Sequence, residues 1–178
     1  RYNIVDSGKQ VLPHTSVDEE LEEHVLIIGY DTQRKELVEK MKEMDQQFVV
    51  MENDPEKISD LRNREENYVY GNILNDETWD YAKPDEAKLI VSTAPFRDVS
   101  EKLLSLDTDT DIVLRAEELE EAEELVERGA IYVIVPEILT SEQVKEHLLG
   151  IHADENYREE LRRRNLLEVR SYLQDEEG

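Results

Sequence analysis

At 178 residues the chain has room for one domain with a sizeable core and a short extension, and too little for two domains plus a linker. Its 45 acidic residues against 21 basic ones give a formal charge of −24, which repels phosphates and anionic bilayers and excludes nucleic acid and membrane surfaces as partners of the body. No cysteine is present, so disulfides, thiolate nucleophiles and Cys-based zinc sites are excluded as well.

The first 23 residues open with "RYNIVDSGKQVLP" and continue into the polar "HTSVDEELEE" without a sustained period, which reads as a linker. From His24 onward, β-rich runs alternate with helical patterns, as βαβ crossovers and a parallel sheet require. The runs are His24–Gly29, Phe48–Glu52, Tyr68–Gly71, Lys88–Thr93, Asp111–Ala116 and Tyr132–Pro136. Each is nearly continuously apolar, the mark of a strand covered on both faces.

Between the strands lie helical segments with clear punctuation. Thr32 is read as the cap of the first, whose Leu37, Val38, Met41 and Met44 form one stripe. Asp54-Pro55 starts the second, with Ile58 and Leu61 facing inward and proline at a position where its missing N–H costs nothing. Asn75 or Asp76 caps a short third helix around Trp79, closed by Pro84, and Val99, Leu103 and Leu106 mark the fourth. The fifth carries Leu119, Ala122, Leu125 and Val126 on one face and stops at Gly129. A sixth starts at Thr140 or Ser141 and runs to Ile151, and a last one contains Leu166, Val169 and Leu173.

The turn after the first strand, "IIGYDTQR", keeps only the first glycine of the dinucleotide fingerprint G-x-G-x-x-G. Asp31 and Arg34 stand where the second and third glycines belong, placing a carboxylate beside the phosphate position and a long side chain at the packing position; both weaken pyrophosphate binding. Glu52 ends the second strand where a ribose-binding acid belongs.

In strand order and in spread motifs, residues 24–151 resemble an RCK domain, also called the TrkA N-terminal domain, the regulatory module of potassium channels, Trk/Ktr-type uptake systems and Kef-type cation:proton antiporters. The motifs are "HVLIIGY", "FVVMENDPEKISDLR", "YVYGNILNDETWDYA", "EAKLIVST", "DIVLRAEELEEAEELVERGA" and "YVIVPE". The resemblance implies an α/β, Rossmann-like parallel sheet of six strands in the order 3-2-1-4-5-6, with helices on both faces and a C-terminal helical extension over residues 152–178. It also implies nucleotide contacts (NAD, NADH, AMP or ATP) at Gly29, Tyr30, Thr32, Glu52, Asn53, Gly71, Asn72, Ser92, Thr93 and Arg115.

Asn72 replaces the family's usual Asp, and with Asp31 and Arg34 it puts the nucleotide in question. "RYNIVDSGKQV" is similar to the stretch that leaves the last membrane helix of Kef-type antiporters, so residues 1–23 are expected to follow a membrane region. The start at Arg1 rather than Met agrees with a piece of a longer protein.

The expected function is therefore a regulatory, non-catalytic domain of a potassium or other cation transport protein, on the cytoplasmic side of the membrane. It pairs as a homodimer through the helices after Thr140 and works beneath a transmembrane transporter portion. A channel or Trk-type RCK domain and a ligand-free dimerisation module are the alternatives. A small NAD-dependent oxidoreductase ranks below them, because no proton-transfer constellation accompanies the strand ends.

The remaining features read as structural. The acids from Glu117 to Glu124 spread around a helix as a solvated face, and His147 and His152 are off the i, i+4 register of a helical metal pair. Arg158, Arg162, Arg163, Arg164 and Arg170 are read as docking the last helix on the acidic body of its own or a partner subunit. The acidic excess itself fits a salt-rich source, where screening relieves self-repulsion.

Overall fold

A computed structural model of the chain describes residues 15–136, 146–147, 150–151 and 155–176. The six strands are β1 (His24–Ile28), β2 (Phe48–Glu52), β3 (Tyr68–Tyr70), β4 (Ala87–Ser92), β5 (Asp111–Arg115) and β6 (Tyr132–Ile134). They form one sheet in the order β3-β2-β1-β4-β5-β6, every neighbouring pair parallel. This is the expected 3-2-1-4-5-6 order, and it puts the switch point between β1 and β4.

Side chains alternate across the sheet and each face finds helices. Val25, Ile27, Phe48, Val50 and Val113 pack with Leu37, Val38 and Met41 of α1 (Thr32–Glu43) and with Ile58 and Leu61 of α2 (Pro55–Asn63). Leu26, Ile28, Val49 and Leu114 pack on the other face with Trp79 of α3 (Asp76–Trp79), Val99 and Leu103 of α4 (Arg97–Leu104), and Leu119, Ala122, Leu125 and Val126 of α5 (Leu119–Glu127). Because both faces are covered, the strands can be apolar at every position. Gly129 ends the α5 segment at φ 116°, a backbone angle that favours glycine.

The cap of α1 is Asp31 rather than Thr32: the Asp31 carboxylate accepts the backbone N–H of Arg34 at 3.0 Å. Asp54 and Asn75 cap α2 and α3 in the same way, and Pro84 opens a 3-10 turn over Pro84–Glu86. The sixth expected helix falls largely outside the described residues, as do its cap and His152.

Both free edges of the sheet are covered. Ser16 exchanges two backbone hydrogen bonds with Tyr68 at 3.0 and 2.8 Å, so residues 15–18 shield β3, and Leu21 is fully buried behind them. At the opposite edge lies the C-terminal helix, α6 (Glu155–Glu176). Its Leu161 joins the α1/α2 face and its Val169 the α4/α5 face, while Asn165 between them, only 3% exposed, accepts the Val133 N–H at 3.0 Å. The helix thus straddles the edge of β6.

Three of the five arginines of α6 hold it on its own chain: Arg158 pairs with Asp111 at 3.0 Å, Arg170 reaches Glu123 at 2.6 Å and Glu127 at 2.7 Å, and Arg162 donates to the Val126 carbonyl at 3.3 Å, while Arg164 pairs with Glu160 of its own helix.

Two histidines are built into this core. His24 is fully buried; its Nε2 donates to the Ala82 carbonyl at 2.9 Å and its Nδ1 has no partner, so burial holds its pKa below the ordinary 6.5. His147, beside the Tyr132 ring and the Tyr157 hydroxyl, is lowered by burial and then by Arg164. The unfolded chain protonates both near 6.5, while the folded chain does so only at lower pH.

Their contribution is complete above 6.5 and is lost as pH falls from there toward the folded values. Thermal midpoints measured from pH 8 to 5 at constant KCl are expected to fall on acidification, by less in His24→Gln than in the native chain. Identical slopes for the two proteins would contradict the assignment to His24.

Candidate functional site

The turns that follow β1, β2, β3 and β4 enclose an open cleft of about 580 Å³ at the carboxyl ends of the strands. Open parallel sheets bind ligands at this place, where the crossovers diverge to opposite faces. Gly29 sits at its floor with φ 83°, and its N–H donates to the Met51 carbonyl at 2.7 Å, which closes the first turn onto β2.

Glu52 is held deep in the floor, 5% exposed. One carboxylate oxygen accepts the Tyr30 N–H at 2.7 Å and faces Lys57 Nζ at 3.4 Å, and the other accepts the Asn53 and Asp54 N–H groups at 2.8 and 3.0 Å. A carboxylate has about four acceptor positions, so little of it remains for a ribose hydroxyl. In the ligand-free chain Glu52 joins the β1 turn to the β2 turn.

Arg34 fills the turn. Its guanidinium lies so close over Gly29 that a Cβ there would stand 2.9 Å from Nη1. Nη1 pairs with the Asp31 carboxylate at 2.9 Å, and Nε donates to Thr93 Oγ1 at the end of β4. Arg34 is 8% exposed, and burial lowers its pKa against the opposing pull of Asp31 and then Glu52. A guanidinium nonetheless keeps its charge.

The expected contact residues divide by position. Gly29, Glu52, Asn53 and Asn72 line the cleft. Asn72 turns its oxygen to the Leu74 N–H at 2.9 Å. Thr93 enters through its bond to Arg34, and Ser92, 1% exposed, accepts the Ala94 N–H at 3.3 Å. The Tyr30 side chain is buried among the α1/α2 core and offers only its backbone to the turn. Thr32 is the first residue of α1, and its side chain is outside the described ones.

Gly71 is small because of its own neighbour, since a Cβ there would lie 2.8 Å from Thr78 Cγ2. Arg115 is directed to Glu117 at 2.6 Å and to the Thr93 carbonyl at 3.5 Å. The structural acid that a charge in a strand needs is therefore Glu117.

Sequence reading missed Lys57, Leu74 and Phe96, all of which line the cleft. Lys57 stands three residues after the Asp54 cap, a spacing that returns a helical side chain to the turn. Leu74 and Phe96 line the cleft at 44% and 62% exposure; "APF" after a strand was the one signal for Phe96, and Leu74 had none. Among the described residues no group of three His, Asp or Glu side chains is placed to hold a metal ion.

With this geometry the comparisons with known proteins agree. The TrkA-N domain matches residues 25–136, and the chain belongs to the TrkA-N domain family. It is 30% identical over 118 residues to a protein of Escherichia coli (strain K12) that carries the name cation/proton antiporter YbaL. That match takes in 64% of this chain and 21% of YbaL, so the chain spans about a fifth of that relative's length.

The crystal structure of the TrkA-N domain of YbaL from Escherichia coli is similar over 74% of this chain and 98% of that one, at 28% identity and a TM-score of 0.63. The GsuK channel bound to NAD shares the fold at 24% identity and a TM-score of 0.60, over 70% of this chain and 23% of that one. No helix among the described residues is long and apolar enough to cross a membrane.

Proposed function

We propose that this chain is the regulatory domain of a cation transport protein, a cation:proton antiporter of the YbaL kind, working on the cytoplasmic side and sensing an adenine nucleotide in the strand-end cleft. Membership of the TrkA-N family and likeness to YbaL support the transporter context. One observation carries the nucleotide: Leu74 and Phe96, two exposed large apolar side chains, line the same cleft as the polar Asn53 and Lys57. Such apolar side chains suit a flat base, and the polar groups beside them suit a sugar.

The role is regulatory rather than catalytic. Asp31, Arg34, Glu52 and Lys57 are each engaged with the chain's own groups, and neither His24 nor His147 lines the cleft. A bound ligand acts by stabilising one arrangement of paired domains over another, which then reaches the transmembrane portion. The homodimer and the salt-rich source belong to this reading as proposals.

The test is calorimetric titration of the folded chain in molar KCl with NAD, NADH, AMP, ADP and ATP. Saturable binding of an adenine nucleotide, weakened about tenfold in Phe96→Ala, is the expected result, since base stacking on an aromatic ring is worth about 1–3 kcal/mol. Phe96 is exposed, so its loss leaves the core intact. No heat from any nucleotide would overturn the sensing role and leave a dimerisation module.

A further inference from the structure

The N-terminus of α1 points at the cleft, and a helix start carries partial positive charge and free N–H groups that attract an anion. Here the anion is already supplied. Asp31 Oδ1 accepts the Arg34 N–H at 3.0 Å while Oδ2 faces Arg34 Nη1 at 2.9 Å, so one carboxylate both caps the helix and neutralises the guanidinium above it. Arg34 then spans from the Gly29 turn to Thr93, tying the end of β1 to the end of β4 across the switch point. That span is the one a ligand's diphosphate makes between the two halves of such a sheet.

We infer that Asp31 and Arg34 are the specificity-determining pair of the cleft: together they occupy the diphosphate position, so the site takes a base and ribose carrying at most one phosphate, and rejects nucleoside diphosphates and dinucleotides. This rests on the nucleotide-sensing reading above and narrows it. Two barriers act against a diphosphate. The guanidinium fills the space over Gly29, and the Asp31 carboxylate holds the Arg34 N–H and meets with like charge a diphosphate seated over the turn. A diphosphate seated over Gly29 needs the space the guanidinium fills, and moving Arg34 aside means giving up its contacts to Asp31 and Thr93. The base and ribose end of the cleft, between Lys57 and Phe96, is untouched by the pair.

The experiment compares the full chain with Asp31→Asn and with the double variant Asp31→Asn/Arg34→Ala, titrated with AMP, ADP and NAD in molar KCl. Asparagine keeps the helix cap and removes the charge, so the single variant serves if the double one does not melt cooperatively. Expected are AMP binding by the native chain with ADP and NAD at least tenfold weaker, a gain of at least tenfold for ADP and NAD in the double variant, and a smaller gain in Asp31→Asn. The inference is overturned if the native chain binds NAD or ADP as tightly as AMP, or if neither folded variant gains ADP or NAD affinity. Failure of the native chain to bind AMP, with ADP and NAD binding gained in the variants, would sink nucleotide sensing by the native chain while leaving the pair as the block.

Discussion

Replacing Glu52 with alanine is expected to destabilise the ligand-free domain by about 3 kcal/mol, a large share of the roughly 5–15 kcal/mol by which domains of this size are stable. The carboxylate accepts three backbone N–H groups, from Tyr30, Asn53 and Asp54, at 2.7 to 3.0 Å. Hydrogen bonds to a charged acceptor contribute about 1.5–3 kcal/mol each, and removing the acceptor leaves its donors to be resolvated. Water entering from the cleft satisfies part of that loss, which is why the expected cost is below the sum. The ion pair to Lys57 adds little, since Lys57 is 39% exposed.

Glu52→Gln discriminates further: its carbonyl oxygen keeps some of the bonds, but its NH₂ confronts backbone donors, so an intermediate loss of about 2 kcal/mol is expected. Urea unfolding at fixed KCl measures both. A Glu52→Ala chain as stable as the native one would show that the carboxylate does not brace the turns and is available to a ribose.

The same residue shows what a sequence can and cannot tell. That an acid ends β2 was legible, because the strand is a continuous apolar run and the acid closes it. That the acid turns inward depends on the N–H groups of two turns 22 residues apart in sequence, which only the pairing of β1 with β2 brings together. The strands and the main helices were legible for a simple reason: a sheet covered on both faces admits apolar residues at every position, and the helices between carry periodic stripes and capped starts.

Where two good caps stand side by side, as Asp31 and Thr32 do, spacing alone does not choose. The choice fell to Asp31 because it also pairs with Arg34. Arg34 announced itself as too large for a glycine position, but the sequence does not say that its side chain folds back into the turn. Residues 15–23 have no period of their own, since what holds them is the free edge of β3 and a space in the core that Leu21 fills.

Asn165 was illegible for a related reason, being a polar residue at the centre of a buried stripe, and its replacement is expected to cost about 2 kcal/mol. The Val133 N–H points away from β5 at the sheet's edge, and Asn165 Oδ1 is its acceptor at 3.0 Å in a place too enclosed for water to take over. Asn165→Ala removes the acceptor and leaves a space between Leu161 and Val169. Asn165→Leu refills the space but still leaves the donor alone. If the hydrogen bond is what matters, both variants lose stability by about 1–3 kcal/mol, whereas if packing dominates the leucine variant is as stable as the native chain or better.

A second reading separates a local defect from release of the helix. Should α6 detach, β6 becomes an open strand edge able to pair with another copy, so sedimentation would show new, concentration-dependent association in the variants. Association without loss of stability would mean that the chief work of Asn165 is to keep that edge closed.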